Sequence, residues 1–187
     1  MAEIILVTGG ARSGKSIFAE NLALKIGDGR AAYIATAQIF DDEMAYRVKL
    51  HKSRRQNNWT TYETPVDADK IIKIAAETHR AILFDCVTIY ISNYICAAPN
   101  LDDSENLFAG FDALIEKLID AAKNSSATVI FVSNEVGSGI VPENKLARIF
   151  RDMTGLANQR IAAAAENVYL TVAGLAVDVK KIAGSTT

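Results

Sequence analysis

Gly9-Gly10-Ala11-Arg12-Ser13-Gly14-Lys15-Ser16 fits the pattern G-x-x-x-x-G-K-[ST], a loop that binds nucleotide phosphates. The residues on either side support that reading. Ile4-Ile5-Leu6-Val7-Thr8 is an apolar run of the kind that forms a buried strand. Residues 16–25 then read as the helix that follows, with Phe18, Leu22 and Ile26 on one face. Glycines let main-chain amides and a helix N-terminus approach phosphate oxygens. Lys15 reaches the outer phosphates, and the Ser16 hydroxyl suits a magnesium ion. A chance glycine-rich turn would not need that strand before it and that helix after it.

Further strands are predicted at 31–35, 81–85, 127–132 and 167–172, with an added edge strand at 176–181. Helices are predicted at 41–55, around 71–75, at 88–96, at 105–123 and at 143–165, the last with a break near Gly155. Residues 59–65 read as irregular or extended. The early strands are continuous apolar runs rather than alternating ones, which predicts a mostly parallel sheet with helices on both faces, an α/β fold. Ligands of such sheets bind beyond the carboxyl ends of the strands. That rule selects the phosphate loop, Thr36-Ala37, Asp85 and Asn134-Glu135.

Residues 1–183 read as one nucleotide-binding domain, with 184–187 a frayed tail. Half of the 187 residues are hydrophobic, 22% are charged and the net charge is −2, as in a soluble globular enzyme. No overall basic field points to nucleic acid. Cys86 and Cys96 have neither metal-site spacing nor partners for a disulfide framework, and read as reduced core residues of a cytoplasmic protein. No apolar run is long enough for a membrane span, and no charged segment precedes the first one as in a signal peptide.

Asp85 ends an apolar strand, where an acidic partner for magnesium is expected behind a phosphate loop; many strands also end in a turn-forming Asp. On the helix predicted at 41–55, Arg47, His51, Arg54 and Arg55 fall near one face. A solvated basic face is one reading. The other is a nucleophile: a neutral imidazole attacks phosphorus, and neighbouring guanidinium groups favour its neutral form while offsetting triphosphate charge. Residue chemistry leaves the two open. His79 precedes a strand in a turn and reads as exposed, and Arg148, Arg151 and Asp152 pair either within the chain or across a subunit boundary.

Together these segments resemble the bifunctional adenosylcobinamide kinase / adenosylcobinamide-phosphate guanylyltransferase family of cobalamin biosynthesis, over nearly the whole chain. The resemblance rests on Thr8 to Ser16, Tyr33-Ile34-Ala35-Thr36-Ala37, Asp42-Glu43-Met44 with Arg47 and His51, and Trp59, Thr61, Glu63 and Pro65. Later come Ser133-Asn134-Glu135-Val136-Gly137, Gly139-Ile140-Val141-Pro142-Glu143-Asn144 and Phe150-Arg151-Asp152. Ser138 and Ile89-Tyr90 depart from the residues typical of the family.

The resemblance implies a RecA-like phosphate-loop fold and two reactions. One is ATP- or GTP-dependent phosphorylation of adenosylcobinamide; the other is GTP-dependent guanylylation of its phosphate to adenosylcobinamide-GDP. It implies a covalent GMP-histidine intermediate at His51, with Lys15 also catalytic. Implied nucleotide contacts are Gly9, Gly10, Ala11, Arg12, Ser13, Gly14, Lys15 and Ser16 in the loop. Outside it they are Ala35, Thr36, Ala37, Lys52, Ser53, Arg54, Arg55, Glu63 and Asp85, with Ser16 and Asp85 holding Mg2+. The implied assembly is a homotrimer, whose partners are the corrinoid and the nucleoside triphosphate, with no nucleic acid. Two readings compete: a monofunctional small-molecule kinase, in which His51 is structural, and a nucleotide-dependent switch or assembly ATPase.

Overall fold

The structure is a computed structural model that describes residues 2–38 and 58–183. The helix predicted at 41–55, with His51, Lys52, Ser53, Arg54 and Arg55, lies outside the described residues, as does the tail 184–187. The described strands are β1 (Ile4–Gly9), β2 (Ala31–Ala35), β3 (Trp59–Glu63), β4 (Ala81–Asp85), β5 (Thr128–Asn134), β6 (Asn167–Val172) and β7 (Leu175–Asp178). The described helices are α1 (Lys15–Ile26), α2 (Ala68–Ala76), α3 (Val87–Ala97), α4 (Ser104–Lys123), α5 (Lys145–Ala164) and α6 (Val179–Ile182).

The strands form one sheet in the order β3-β2-β4-β5-β1-β6-β7. β1 to β6 are parallel, and only β7 turns back antiparallel, on β6. Alternate residues of each strand face opposite sides, so each apolar run feeds two cores. Ile4, Leu6, Ile34, Ile82, Phe84, Val129 and Phe131 face α2, α3, α4 and α5. Ile5, Val7, Tyr33, Leu83, Ile130 and Val132 face α1. Burying each such side chain is worth about 1.5–3 kcal/mol. Phe84 is the hub of the first core, with Tyr90 5.5 Å away and edge-on, and Phe131 5.3 Å away and tilted. Pairs of that geometry add about 0.5–1.5 kcal/mol beyond burial.

Several sequence expectations change. Residues 59–63, read as irregular or extended, are the edge strand β3. They carry no apolar run because an edge strand is half solvated: Thr60 and Thr61 are exposed, and only Trp59 and Tyr62 pack inward. α1 buries Ala19 and Ala23, while Phe18, Leu22 and Ile26 are only partly buried beside them, since small residues let this helix sit close to the sheet. α5 runs unbroken through Gly155, where open space surrounds the glycine. The buried Met153, Thr154 and Ala157 around it outweigh the cost of about 1 kcal/mol for a mid-helix glycine. The edge strand predicted at 176–181 is instead β7, ended by the helical turn α6, whose first turn Asp178 caps through Lys180 N–H. Cys96 is exposed and only Cys86 is buried, so one of the two cysteines is not a core residue.

Candidate active site

β1 delivers the chain into the phosphate loop at Gly9. A Cβ there would overlap Thr171 and lie 2.7 Å from the Ser13 hydroxyl, so the loop folds that closely only because position 9 lacks a side chain. Gly14 has φ +97°, a region favouring glycine, and opens α1. The loop is then tied to β6 and its hairpin. Ser13 Oγ and Thr171 Oγ1 share a 2.7 Å hydrogen bond, Thr171 Oγ1 donates to Thr8 O (3.0 Å), and Gly174 N–H donates to Ser13 O (2.8 Å). On the other flank, Glu135 N–H donates to Gly9 O (3.0 Å). The Glu135 carboxylate accepts from Gly137 and Ser138 amides; burial raises its pKa, but those bonds outweigh burial and hold it below the usual range.

Lys15 is 9% exposed, and its ammonium donates to Gly10 O at 3.0 Å. Burial lowers its pKa, opposed by the charges of Cys86 and Asp85. The same interaction sets Asp85 in the field of the loop lysine, although β5 separates their strands. Two strand spacings amount to about 10 Å, a gap that a phosphate chain can span. Main-chain amides and an ammonium on one side, with a carboxylate on the other, can bind and polarise a triphosphate.

Asp85 is itself held. Tyr33, 4% exposed on β2, donates its hydroxyl to Asp85 Oδ2 at 2.6 Å, and Trp59 packs edge-on against Tyr33 at 5.8 Å. Oδ1 is left to serve a ligand. The hydroxyl of Ser16 on the first turn of α1 and the Asp85 carboxylate are hard oxygen donors, the class that magnesium takes alongside nucleotide phosphates. These residues therefore fit a magnesium ion. The Asp85–Cys86 peptide is cis. Cys86 is buried beside Thr88 (3.0 Å to its hydroxyl), and burial pushes its thiol up to about 11. Asn134 Nδ2 donates to that same Thr88 hydroxyl at 3.0 Å.

Register explains which predicted residues meet. Ala35 is level with both Glu63 and Asp85 at the ends of β2, β3 and β4. Gly9 is level with Asn134 and Thr171 at the ends of β1, β5 and β6. Thus Gly9 to Ser16, Ala35, Thr36, Ala37, Glu63 and Asp85 all stand on one carboxyl edge. His79 does not: it precedes β4 at the opposite edge, six residues and up to about 20 Å from Asp85 along the chain. It is half-buried rather than simply exposed, near Thr60 Oγ1 (2.9 Å) and Ala75 O (3.1 Å), where it joins α2 to β3. Arg148 donates to the carbonyls of Pro142 and Glu143, and Arg151 pairs with Asp152 at 3.3 Å, so these contacts lie within the chain.

Sequence reasoning missed Tyr33 as the partner of Asp85, Thr171 as the brace of the loop, and Asn93. A lone Asn inside the apolar helix Val87–Ala97 is a signal that was there to be used.

A family model described as cobinamide kinase / cobinamide phosphate guanyltransferase matches residues 5–179. The bifunctional adenosylcobalamin biosynthesis protein CobU of Salmonella typhimurium is 46% identical over 183 residues, 95% of this chain and 99% of that protein. The protein of the same description named CobP in Pseudomonas aeruginosa is 40% identical over 175 residues, 94% and 96% of the two chains. Among solved structures, an ATPase domain is similar with a TM-score of 0.53 at 13% identity, over 90% of this chain and 68% of that one. The flagellar accessory protein FlaH of Methanocaldococcus jannaschii gives a TM-score of 0.47 at 16% identity, over 93% and 74%. The likeness to an ATPase domain concerns the fold alone, and agrees with the phosphate-loop architecture that the family resemblance implies.

Proposed function

Because the chain belongs to the cobinamide kinase / cobinamide phosphate guanyltransferase family, we propose that a single nucleotide site on the carboxyl edge of the sheet serves both of its reactions. The protein is a bifunctional transferase of cobalamin biosynthesis. One reaction phosphorylates the hydroxyl of the cobinamide side arm, and the other transfers GMP from GTP to that phosphate. The observation that carries the shared site is that Lys15, buried in the phosphate loop, and Asp85, held by Tyr33, stand on the same carboxyl edge of the sheet.

In the phosphoryl step, the loop amides and Lys15 hold the triphosphate while the substrate hydroxyl attacks the terminal phosphorus. Ser16 and Asp85 would hold a magnesium ion, which would supply charge neutralisation on the phosphates. Tyr33 fixes the orientation of the Asp85 carboxylate through its hydrogen bond to Oδ2. Ala35, Ala37 and Glu63 contact the nucleotide beyond its phosphates, whereas Thr36, expected among them, is fully buried and bonded to Cys86, so it holds the strand end rather than the ligand.

In the guanylyl step, a ring nitrogen of His51 attacks the α-phosphorus of GTP. An N–P bond forms, the Pα–O bond to the β-phosphate breaks, and pyrophosphate leaves. An oxygen of the corrinoid phosphate then attacks the same phosphorus and the N–P bond breaks, its electron pair returning to the ring nitrogen, so that the ring, keeping the proton on its other nitrogen, leaves as neutral imidazole. Lys52, Ser53, Arg54 and Arg55 follow His51 in sequence and are assigned to the triphosphate. We read the assembly as a cytoplasmic homotrimer on the family resemblance. Among the described residues no helix is long and apolar enough to cross a membrane.

Incubation with α-labelled GTP, followed by denaturing electrophoresis, tests the covalent step. Wild-type protein is expected to carry an acid-labile, alkali-stable label, and His51→Ala none, with phosphorylation of adenosylcobinamide retained. Label on His51→Ala would move the nucleophile elsewhere.

A further inference from the structure

Asn93 lies on α3, whose neighbouring residues Tyr90, Ile91 and Ile95 are buried apolar core. It is 8% exposed, and its amide nitrogen donates to two main-chain carbonyls, Thr36 O at 2.8 Å and Pro65 O at 3.1 Å. Both carbonyls lie just past the ends of β2 and β3. There the last regular bonds are Thr36 N–H to Asp85 O (3.2 Å) and Thr64 N–H to Ala35 O (2.9 Å). Thr36 carries the linkage one strand further. Its fully buried hydroxyl donates to Cys86 O at 3.0 Å and accepts from Cys86 N–H at 2.9 Å. One amide and one hydroxyl thus fix three strand ends to one another and to α3.

The phosphate loop shares none of these bonds; Thr171 and Gly174 on β6 and its hairpin hold it instead. The edge is therefore braced by two sets of bonds, which meet through Thr88, bonded to Cys86 on one side and to Asn134 on the other. A buried Asn filling only a packing role would not need to bridge two strand ends beyond their ladders. A buried carbonyl left without its donor there is costly enough to shift a strand end.

We propose that Asn93 is a positioning residue for the nucleotide. Through Thr36 and Pro65 it sets Ala35, Ala37 and Glu63 at the spacing required by the part of a nucleotide beyond its phosphates. Phosphate binding is left to the loop, whose own braces run to β6 and its hairpin. The inference rests on the reading above that those residues contact the nucleotide.

Calorimetric titration of Asn93→Leu with GTP and, separately, with inorganic triphosphate tests it, alongside the thermal unfolding midpoint. The expected result is GTP bound about tenfold more weakly, with inorganic triphosphate unchanged within about twofold. Unchanged GTP binding, or an equal loss for both ligands, overturns the proposal. Should Asn93→Leu not fold, Thr36→Val removes the hydroxyl at constant shape, and the same selective loss is required of it. Glu63→Gln measured in parallel separates the two readings. If it weakens GTP while Asn93→Leu does not, positioning fails and the contact assignment stands. If neither variant changes GTP binding, the contact assignment fails and takes the proposal with it.

Discussion

The two halves of the carboxyl edge reach the same rigidity by different means. Around β1 and β6 the backbone is most of the device: Gly9 and Gly14 permit the loop's path, main-chain groups of Gly174 and Glu135 pin it, and a single side chain, Thr171, adds bonds to Ser13 and Thr8. Around β2, β3 and β4 the strand ends are ordinary, and side chains do the bracing, through Tyr33 on Asp85, Thr36 on Cys86 and Asn93 on two carbonyls. The first arrangement needs particular residues at fixed spacing, so it leaves a motif. The second needs donors that meet across three elements, and it leaves none. On the proposed reading the difference also divides labour: phosphates fall to the backbone block and the nucleoside to the side-chain block, with one proposed magnesium ligand, Ser16 or Asp85, in each.

Lys15→Ala strikes the charge shared by both halves and has the largest expected effect. Both activities should fall by roughly a thousandfold, with the fold intact by circular dichroism, since the ammonium acts on phosphates and has no apolar packing role. Wild-type turnover in the folded variant would detach the loop from the chemistry.

Asp85→Asn attacks the side-chain block alone. Magnesium-dependent rates should drop on the order of a hundredfold, while GTP affinity measured without metal changes by less than about threefold. An unchanged dependence on magnesium concentration would make Asp85 a strand-end residue only.

The smallest effects come from removing one brace from each half. Tyr33→Phe deletes the bond to Asp85 and should raise the magnesium concentration for half-maximal activity by about threefold to tenfold, with GTP affinity unaltered. Thr171→Val removes the bonds to Ser13 and Thr8 and should do the reverse, weakening triphosphate binding at a constant magnesium requirement. If both variants showed the same pattern, the edge would behave as one unit, and the division drawn here would fall.

Much of this was legible beforehand. The glycine pattern, the lysine and the continuous apolar runs are local, and local sterics and burial dictate them, so the loop, α1 and the central strands follow from sequence alone. β3 was not legible, because a half-solvated edge strand lacks the apolar run that marks its neighbours. His79 is the converse case: the sequence already puts it before β4, at the end away from Asp85, and the structure adds only its contacts with Thr60 and Ala75. Asp85 could be named from its position after a strand, but not the hydroxyl that orients it, because Tyr33 lies 52 residues away in the chain. Sequence determined the elements, the phosphate loop and the family. Tertiary structure alone decided which side chains brace the site, because parallel register aligns Ala35, Glu63 and Asp85 in one row, and no local rule specifies register between strands so far apart in the chain.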